Sequence, residues 1–530
     1  MNDPVEEWIA ADPDPASRAE LAALSADELA DRFAAPLTFG TSGLRGPVRA
    51  GPNGMNLAVV IRTTAGLSAW LQDRCPGGST VVVGRDARHG SEEFARSAAE
   101  VLAGAGFSVI LLPRPLPTPI VAFAVRRLGA VAGVQITASH NPAADNGYKV
   151  YLGGGAQLIS PSDREIEESI DRVGPADLVP RVPVTPASSE LVELYVERVA
   201  SLPRGHSRTL RIALTALHGV GGDTALAALE SAGFTDIHTV AAQFDPDPDF
   251  STVMFPNPEE PGACDALLAL AEEVDADLAL ALDPDADRCA VGVRGPGGWR
   301  MLRGDETGVL LGDHVLASAP PDSLVATTVV SSTLLEKLAA ARGTRFACTL
   351  TGFKWLVRAG EGLVYAYEEA IGHCVDPESV RDKDGISAAV MAADLAASLK
   401  TEGTTLLDRL DDYAVEFGLH VGDQVSRRVA DIADITTMMQ RLRAGLPTEL
   451  AGEPVSATDL AERRDQSRTD AIVLTGATTR TVVRPSGTEP KIKCYLEVVV
   501  PVSDRLALPI ARETAAARLN LLREWFAESL

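Results

Sequence analysis

Thr80-Val-Val-Val-Gly-Arg-Asp86 is an apolar run that ends in a glycine and two charges. An Ala-rich stretch from Ser91 to Ala103 follows it, and then Gly106-Phe-Ser-Val-Ile-Leu-Leu112. β-Branched residues ahead of a polar, Gly-containing turn read as a buried strand, the Ala/Leu-rich stretch as a helix, and the second apolar run as another strand. The segment is therefore a βαβ-like unit, and the same order recurs twice. Arg211-Ile-Ala-Leu-Thr-Ala216, a helix over Thr224 to Ser231 and Gly233-Phe-Thr-Asp-Ile-His-Thr-Val240 make the second unit. Leu324-Val-Ala-Thr-Thr-Val-Val330, a helix over Ser332 to Ala341 and Thr344-Arg-Phe-Ala-Cys-Thr-Leu350 make the third. Solenoid repeats run roughly 20–50 residues, and these units start more than 100 residues apart, so they mark three related α/β domains.

Outward from these units the chain changes character. The segment before about Ala35 places Trp8, Ile9, Leu21, Leu24 and Leu29 at helical spacing among acidic residues, which predicts one or two surface helices. In the last 110 or so residues, helical stretches (Ile432 to Ala444, Ala511 to Ser529) flank strands such as Arg480-Thr-Val-Val-Arg484 and Lys491 to Val500, an α+β order. Breaks are expected near Pro203-Arg-Gly, Gly295-Pro-Gly-Gly and Gly418. The expected domains are 1–203, 204–302, 303–420 and 421–530, consistent with a length of 530 residues at roughly 100–200 residues per domain.

Hydrophobic residues make up 46% and charged residues 23%, ordinary globular usage. A formal charge of −25 argues against nucleic-acid binding, because no diffuse positive field is available, so an anionic ligand needs local basic motifs. The six cysteines show no C-x-x-C spacing, which suggests neither a zinc site nor a disulfide framework. With no signal-type run and no long apolar stretch, a cytoplasmic protein without membrane contact is expected, and either a monomer or a dimer fits.

Several loops could carry chemistry. Thr137-Ala-Ser-His-Asn-Pro142 follows the apolar strand Val131 to Ile136, with Asn146-Gly-Tyr-Lys149 beyond it. The Pro and an Asn-Gly turn would place Ser139 and His140 at the strand's carboxyl end, where open α/β sheets bind ligands; an ordinary turn is the competing reading. Leu278-Ala-Leu-Ala-Leu-Asp-Pro-Asp-Ala-Asp-Arg288 sends Asp283, Asp285 and Asp287 out of a buried strand close together. Three such charges repel unless a hard cation such as Mg²⁺ or Ca²⁺ neutralises them, while a solvated acidic loop would need none. The Pro-rich run Asp245-Pro-Asp-Pro-Asp249 reads as such a loop. Gly40-Thr-Ser-Gly-Leu-Arg-Gly46 and Arg484-Pro-Ser-Gly-Thr-Glu-Pro-Lys491 offer accessible backbone N–H groups, hydroxyls and a guanidinium, the groups that hold phosphate. Two further polar clusters are Thr351-Gly-Phe-Lys354 and Tyr367 to His373, followed by Arg381-Asp-Lys-Asp-Gly385.

Taken in order over residues 39–497, these motifs resemble the α-D-phosphohexomutases, the phosphoglucomutase and phosphomannomutase group. Glu368-Glu-Ala-Ile-Gly372 and Phe255-Pro-Asn-Pro-Glu-Glu260 look most like the branch with phosphoglucomutase, phosphopentomutase and glucose-1,6-bisphosphate synthase activities. The resemblance implies four domains around a central cleft, three α/β and one α+β. It also implies a phosphorylated Ser139, with Mg²⁺ held by Asp283, Asp285, Asp287 and the Ser139 phosphoryl group. Arg45, Lys149 and Lys383 would line the reacting end. Thr41, Ser42, His140, Arg288, Thr351, Gly352, Lys354, Glu368 and Glu369 would meet the substrate. Arg484, Ser486, Gly487, Thr488 and Lys493 would grip the phosphate that is not reacting. Ala370 stands where several relatives carry Ser, in the part of the motif that meets the sugar.

The implied reaction interconverts hexose 1-phosphate and hexose 6-phosphate, with a sugar 1,6-bisphosphate as intermediate and activator and sugar phosphates as partners. Phosphopentomutase and glucose-1,6-bisphosphate synthase are the alternatives within the family. A phosphatase with a Ser nucleophile and an inactive sugar-phosphate sensor are the alternatives outside it.

Overall fold

The computed structural model describes residues 4–38, 43–429, 432–465, 467–486 and 491–529. It divides into two compact units: Met1–Leu302 with Gly372–Ser398, and Arg303–Ile371 with Leu399–Leu530.

The first unit holds two sheets of one design. In one, Ser108–Leu111, Thr80–Arg85 and Ala132–Ile136 run parallel, Asp145–Leu152 adds antiparallel to Ala132–Ile136, and Leu44–Pro47 adds antiparallel to Asp145–Leu152. In the other, Asp236–Thr239, Arg211–Thr215 and Leu278–Leu282 run parallel, and Cys289–Gly295 and Gly298–Met301 add antiparallel. The shared order explains the repeat in the sequence. Strands covered on both faces read as continuous apolar runs: Ala132–Ile136 and Leu278–Leu282 are buried at every position.

In the second unit, Leu324–Thr328 lies between Arg345–Thr349 and Leu363–Glu368, all parallel. A separate antiparallel sheet has the order Leu419–Arg428, Lys491–Val500, Thr479–Pro485, Ile472–Thr475, Ser456–Asp459. Its apolar side, with Ile472, Leu474, Val483, Ile492 and Leu496, packs on Leu519, Leu522 and Phe526 of the helix Leu508–Ser529.

The design places three loops at equivalent positions, each after the parallel strand farthest along its repeat: Ser139 follows Ala132–Ile136, Asp283 follows Leu278–Leu282, and Glu369 follows Leu363–Glu368. Each loop contains a non-glycine residue in the left-handed region: Ser139 (φ 56°), Ala286 (φ 54°) and Ile371 (φ 52°). Such residues cost free energy and persist where their surroundings hold them.

Two local expectations are corrected. The N-terminal segment forms three helices, Pro4–Ala11, Pro15–Ala23 and Ala26–Arg32, because the Asp14 carboxylate caps the second and Ser25 with Glu28 forms a capping box on the third. Gly295–Gly298 is the turn of a β-hairpin whose second strand ends at Met301, just before the division of the chain after Leu302. Asn146-Gly147 lies inside the strand Asp145–Leu152 and makes no turn. The Asn146 side chain, which could have closed one, instead donates to His89 O and Ser91 Oγ. Gly147 is needed for close approach, since a Cβ there would sit 2.5 Å from Thr137 O and 2.8 Å from Leu44 O. Among the described residues no helix is long and apolar enough to cross a membrane.

Candidate active site

The acidic loop forms the floor. Asp283, Asp285 and Asp287 are fully buried, and one oxygen from each lies within 4.8 Å of the others. Ala286 N donates to Asp283 O at 2.8 Å, and the left-handed Ala286 lets alternate carboxylates point the same way. The loop rests on the glycine-rich turn after Arg211–Thr215, where Val220 N donates to Pro284 O at 2.8 Å. A Cβ on Gly219 would lie 2.4 Å from the Pro284 backbone. Gly219→Ala is therefore expected to displace this loop and lower kcat by about 10–100-fold with an unchanged far-ultraviolet circular dichroism spectrum, which steady-state kinetics checks.

Cations from distant segments converge on the floor. Lys149 Nζ donates to Asp285 Oδ2 at 2.6 Å and to Asp287 Oδ2 at 2.8 Å. Lys383 Nζ lies 3.1 Å from Asp287 Oδ2. Arg288 Nη1 donates to Ser139 Oγ at 3.2 Å and also meets His140 Nδ1. Ser139 Oγ itself donates to Asp283 Oδ2 at 3.0 Å. Arg45 Nη1 donates to Asn141 Oδ1 at 3.2 Å, beside the same loop.

Electrostatics follow from this crowding. Burial, then the charges of Asp285 and Asp287, push the Asp283 carboxyl well above the usual range. Burial also raises Asp287, but Lys149, Lys383 and Arg288 overcome it and hold that carboxyl below its ordinary range. Burial, then the neighbouring Arg288 and Arg45, push the His140 imidazole well below its ordinary range. Asp285 Oδ1 and Asp287 Oδ1 are buried with no hydrogen-bond partner. Two orphaned carboxylate oxygens beside a third carboxylate that burial disfavours as an anion fit a hard, oxygen-seeking cation. Among the described residues this is the one cluster of its kind. By contrast, Asp247 of the Pro-rich run spends its carboxylate on Asp249 N, Ser251 N and Ser251 Oγ within its own turn.

The other described site residues lie in the second unit. Glu368 ends the strand Leu363–Glu368, and Glu369 Oε2 accepts from Thr328 Oγ1 at 3.1 Å and Ser331 Oγ at 3.0 Å. Thr351, Gly352 and Lys354 sit where the short helix Phe353–Leu356 begins. Arg484 lies directly opposite Lys493 on the neighbouring strand, and Ser486 N donates to Lys491 O at 2.8 Å. Thr41, Ser42, Gly487 and Thr488 lie outside the described residues.

Sequence reasoning missed the supports. Thr118 Oγ1 donates to Asp285 Oδ2 at 2.5 Å, and Asp382 takes Lys383 Nζ, Tyr151 OH and Gln157 Nε2. Arg428 pairs opposite Lys491, on the other side of the strand Lys491–Val500 from Arg484. The position of Asp382 beside Lys383 was a signal available in the sequence; Thr118 and Arg428 had none.

Models of the phosphoglucomutase/phosphomannomutase family match in succession: α/β/α domain I at 36–176, domain II at 193–297, domain III at 303–414 and the C-terminal domain at 426–507. The chain belongs to this family. It is a phosphomutase of the α-D-phosphohexomutase superfamily, an isomerase acting by phosphotransfer, with the family's four-domain architecture. A Haemophilus influenzae protein named probable phosphomannomutase is 42% identical over 84% of this chain and 93% of its own length. The human phosphopentomutase is 35% identical over 90% of this chain and 87% of its own. A phosphoglucomutase/phosphomannomutase family protein from Burkholderia thailandensis has the same fold, with a TM-score of 0.72 at 19% identity, covering 93% of this chain and 97% of that one.

Proposed function

We propose that this phosphomutase interconverts hexose 1-phosphates and hexose 6-phosphates through a phosphorylated Ser139 and a sugar 1,6-bisphosphate that also serves as activator. The observation that carries the reading is Ser139 Oγ, buried 3.0 Å from Asp283 Oδ2 and donated to by Arg288, within a nest of lysines shared by the acidic loop. The P–O bond to Ser139 Oγ breaks as a new one forms to the free sugar hydroxyl, whose proton ends on the freed Ser139 oxygen. The bisphosphate then turns round and returns its other phosphoryl group to Ser139. Transfer of this kind needs positioning and positive charge more than covalent chemistry. Lys149, Lys383, Arg288 and Arg45 supply fixed positive charge at the reacting end. Asp283, Asp285 and Asp287 are the residues that would hold Mg²⁺, which supplies Lewis-acid charge on the transferring oxygens when bound.

Glu368 and Glu369 are assigned to the sugar hydroxyls, and the pre-bonding of Glu369 by Thr328 and Ser331 fixes its direction. Arg484, Ser486 and Lys493 are assigned to the distal phosphate. Arg484→Ala is expected to raise KM and lower kcat/KM by about 10–100-fold, the loss of a charge-assisted contact worth about 1.5–3 kcal/mol, while Ser139 still carries phosphate. Phosphopeptide mass spectrometry beside steady-state kinetics checks both halves.

Resemblance to the human phosphopentomutase supports a second reading, with pentose phosphates as substrates. A panel of the 1-phosphates of glucose, mannose, glucosamine, ribose and deoxyribose separates the two by kcat/KM. The hexose reading fails if ribose or deoxyribose 1-phosphate is preferred by more than about tenfold. Stoichiometric release of inorganic phosphate would replace both with a phosphatase.

A further inference from the structure

One side chain outside the predicted set holds the nucleophile loop. Arg88 is 4% exposed. Its Nη2 donates to Ser139 O at 2.7 Å and to Asn141 O at 2.6 Å, and its Nη1 donates to Pro142 O at 2.8 Å and to Asp145 O at 3.1 Å. A single guanidinium therefore gathers four carbonyls from one short loop. That loop contains Ser139 at φ 56°, a conformation an L-residue leaves unless its surroundings over-determine it.

Arg88 is itself anchored. Its backbone N donates to Asp86 Oδ1 at 3.0 Å, the oxygen that also accepts from Ser91 Oγ at 2.6 Å. The guanidinium carbon lies 4.9 Å from the centroid of the Phe250 ring. Phe250 is buried and belongs to the second α/β repeat, the one that supplies the acidic loop. The planar fork thus touches the nucleophile loop along its edges and the neighbouring domain on its face.

We propose that Arg88 is a positioning residue: it holds the Ser139 loop in its left-handed form and, through Phe250, sets that loop's place relative to the domain carrying Asp283. This rests on the reading of Ser139 as the phosphoryl carrier. Lysine at this position would keep the charge but lose the fork, because one ammonium cannot reach two pairs of carbonyls at once. Arg88→Lys therefore separates geometry from charge.

The test uses the full chain, with Arg88→Lys and Phe250→Leu compared with the parent for kcat, KM, melting temperature and amide hydrogen exchange over residues 138–146. Arg88→Lys is expected to lower kcat at least tenfold with KM changed less than about threefold, and to speed exchange in that loop. Phe250→Leu should shift both readouts the same way by a smaller factor, since the four carbonyl bonds remain. Parental kcat and loop exchange in Arg88→Lys, whatever its melting temperature, would overturn the proposal, as would a loss confined to KM. If Arg88→Lys gives no folded protein, Phe250→Leu decides by the same two readouts. Phosphate analysis of Ser139 in the parent keeps the outcomes distinct: a parent active without that phosphate defeats the Ser139 reading, whereas loop exchange reports on Arg88 without any chemistry.

Discussion

Ser139→Ala is expected to abolish turnover, lowering kcat by at least about 10³-fold, while the protein folds as before. The change deletes one hydroxyl from a residue that is 1% exposed, and with it the bond to Asp283 Oδ2 and the contact from Arg288. The loop's main supports use the Ser139 backbone: its N–H donates to Thr137 Oγ1 at 2.9 Å and its carbonyl accepts from Arg88, and alanine retains both. The structural cost is therefore small. The chemical cost is total, because a shuttle needs a covalent site for the phosphoryl group between its two transfers, and removing a nucleophile costs many orders of magnitude in rate. Steady-state kinetics with glucose 1-phosphate and phosphopeptide mass spectrometry check this together. A variant with more than a few per cent of parental kcat would remove Ser139 from the reaction.

Asp287→Asn is expected to lower kcat by at least about 100-fold and to move the Mg²⁺ dependence to concentrations at least tenfold higher. Asp287 Oδ2 receives Lys149 Nζ at 2.8 Å and Lys383 Nζ at 3.1 Å, and its Oδ1 is one of the two orphaned oxygens. Amidation removes a full charge from a hard-cation site and leaves two buried ammonium groups sharing one fewer carboxylate. Both effects act on the same carboxylate, the lysines through Oδ2 and the cation site through Oδ1, so cation binding and the placement of the lysines should fail together. The parent stripped with a chelator should lose activity and regain it on addition of Mg²⁺. Full activity after chelation, with no metal found by elemental analysis, would show that the acidic loop serves the lysines alone.

The three α/β repeats, the acidic triad and the place of Ser139 at a strand's end were legible because they are local, whereas the role of Ser139 rested on the family resemblance. A buried parallel strand is a continuous apolar run, and the loop beyond its carboxyl end must carry whatever chemistry the domain has, so Ala132–Ile136 points to Ser139 and Leu278–Leu282 to Asp283 without knowledge of any neighbour. Tertiary structure decided the partners. Lys149 and Asp287 are 138 positions apart, and they meet only because the strand Asp145–Leu152 adds antiparallel to Ala132–Ile136 and aims Lys149 at a loop from another repeat. The same strand pairing turned Asn146-Gly147 from an expected turn into strand: Asn146 found better acceptors at His89 and Ser91, and the backbones of Leu44 and Thr137 left room for nothing larger than glycine at position 147. Arg88 is the clearest case. In sequence it is one charge after a strand, and its four bonds to the Ser139 loop exist because sheet order brings that loop beside it. Hydrophobic periodicity is written residue by residue, whereas a side chain's partner across a domain depends on register and strand order, which the folding of the whole chain sets.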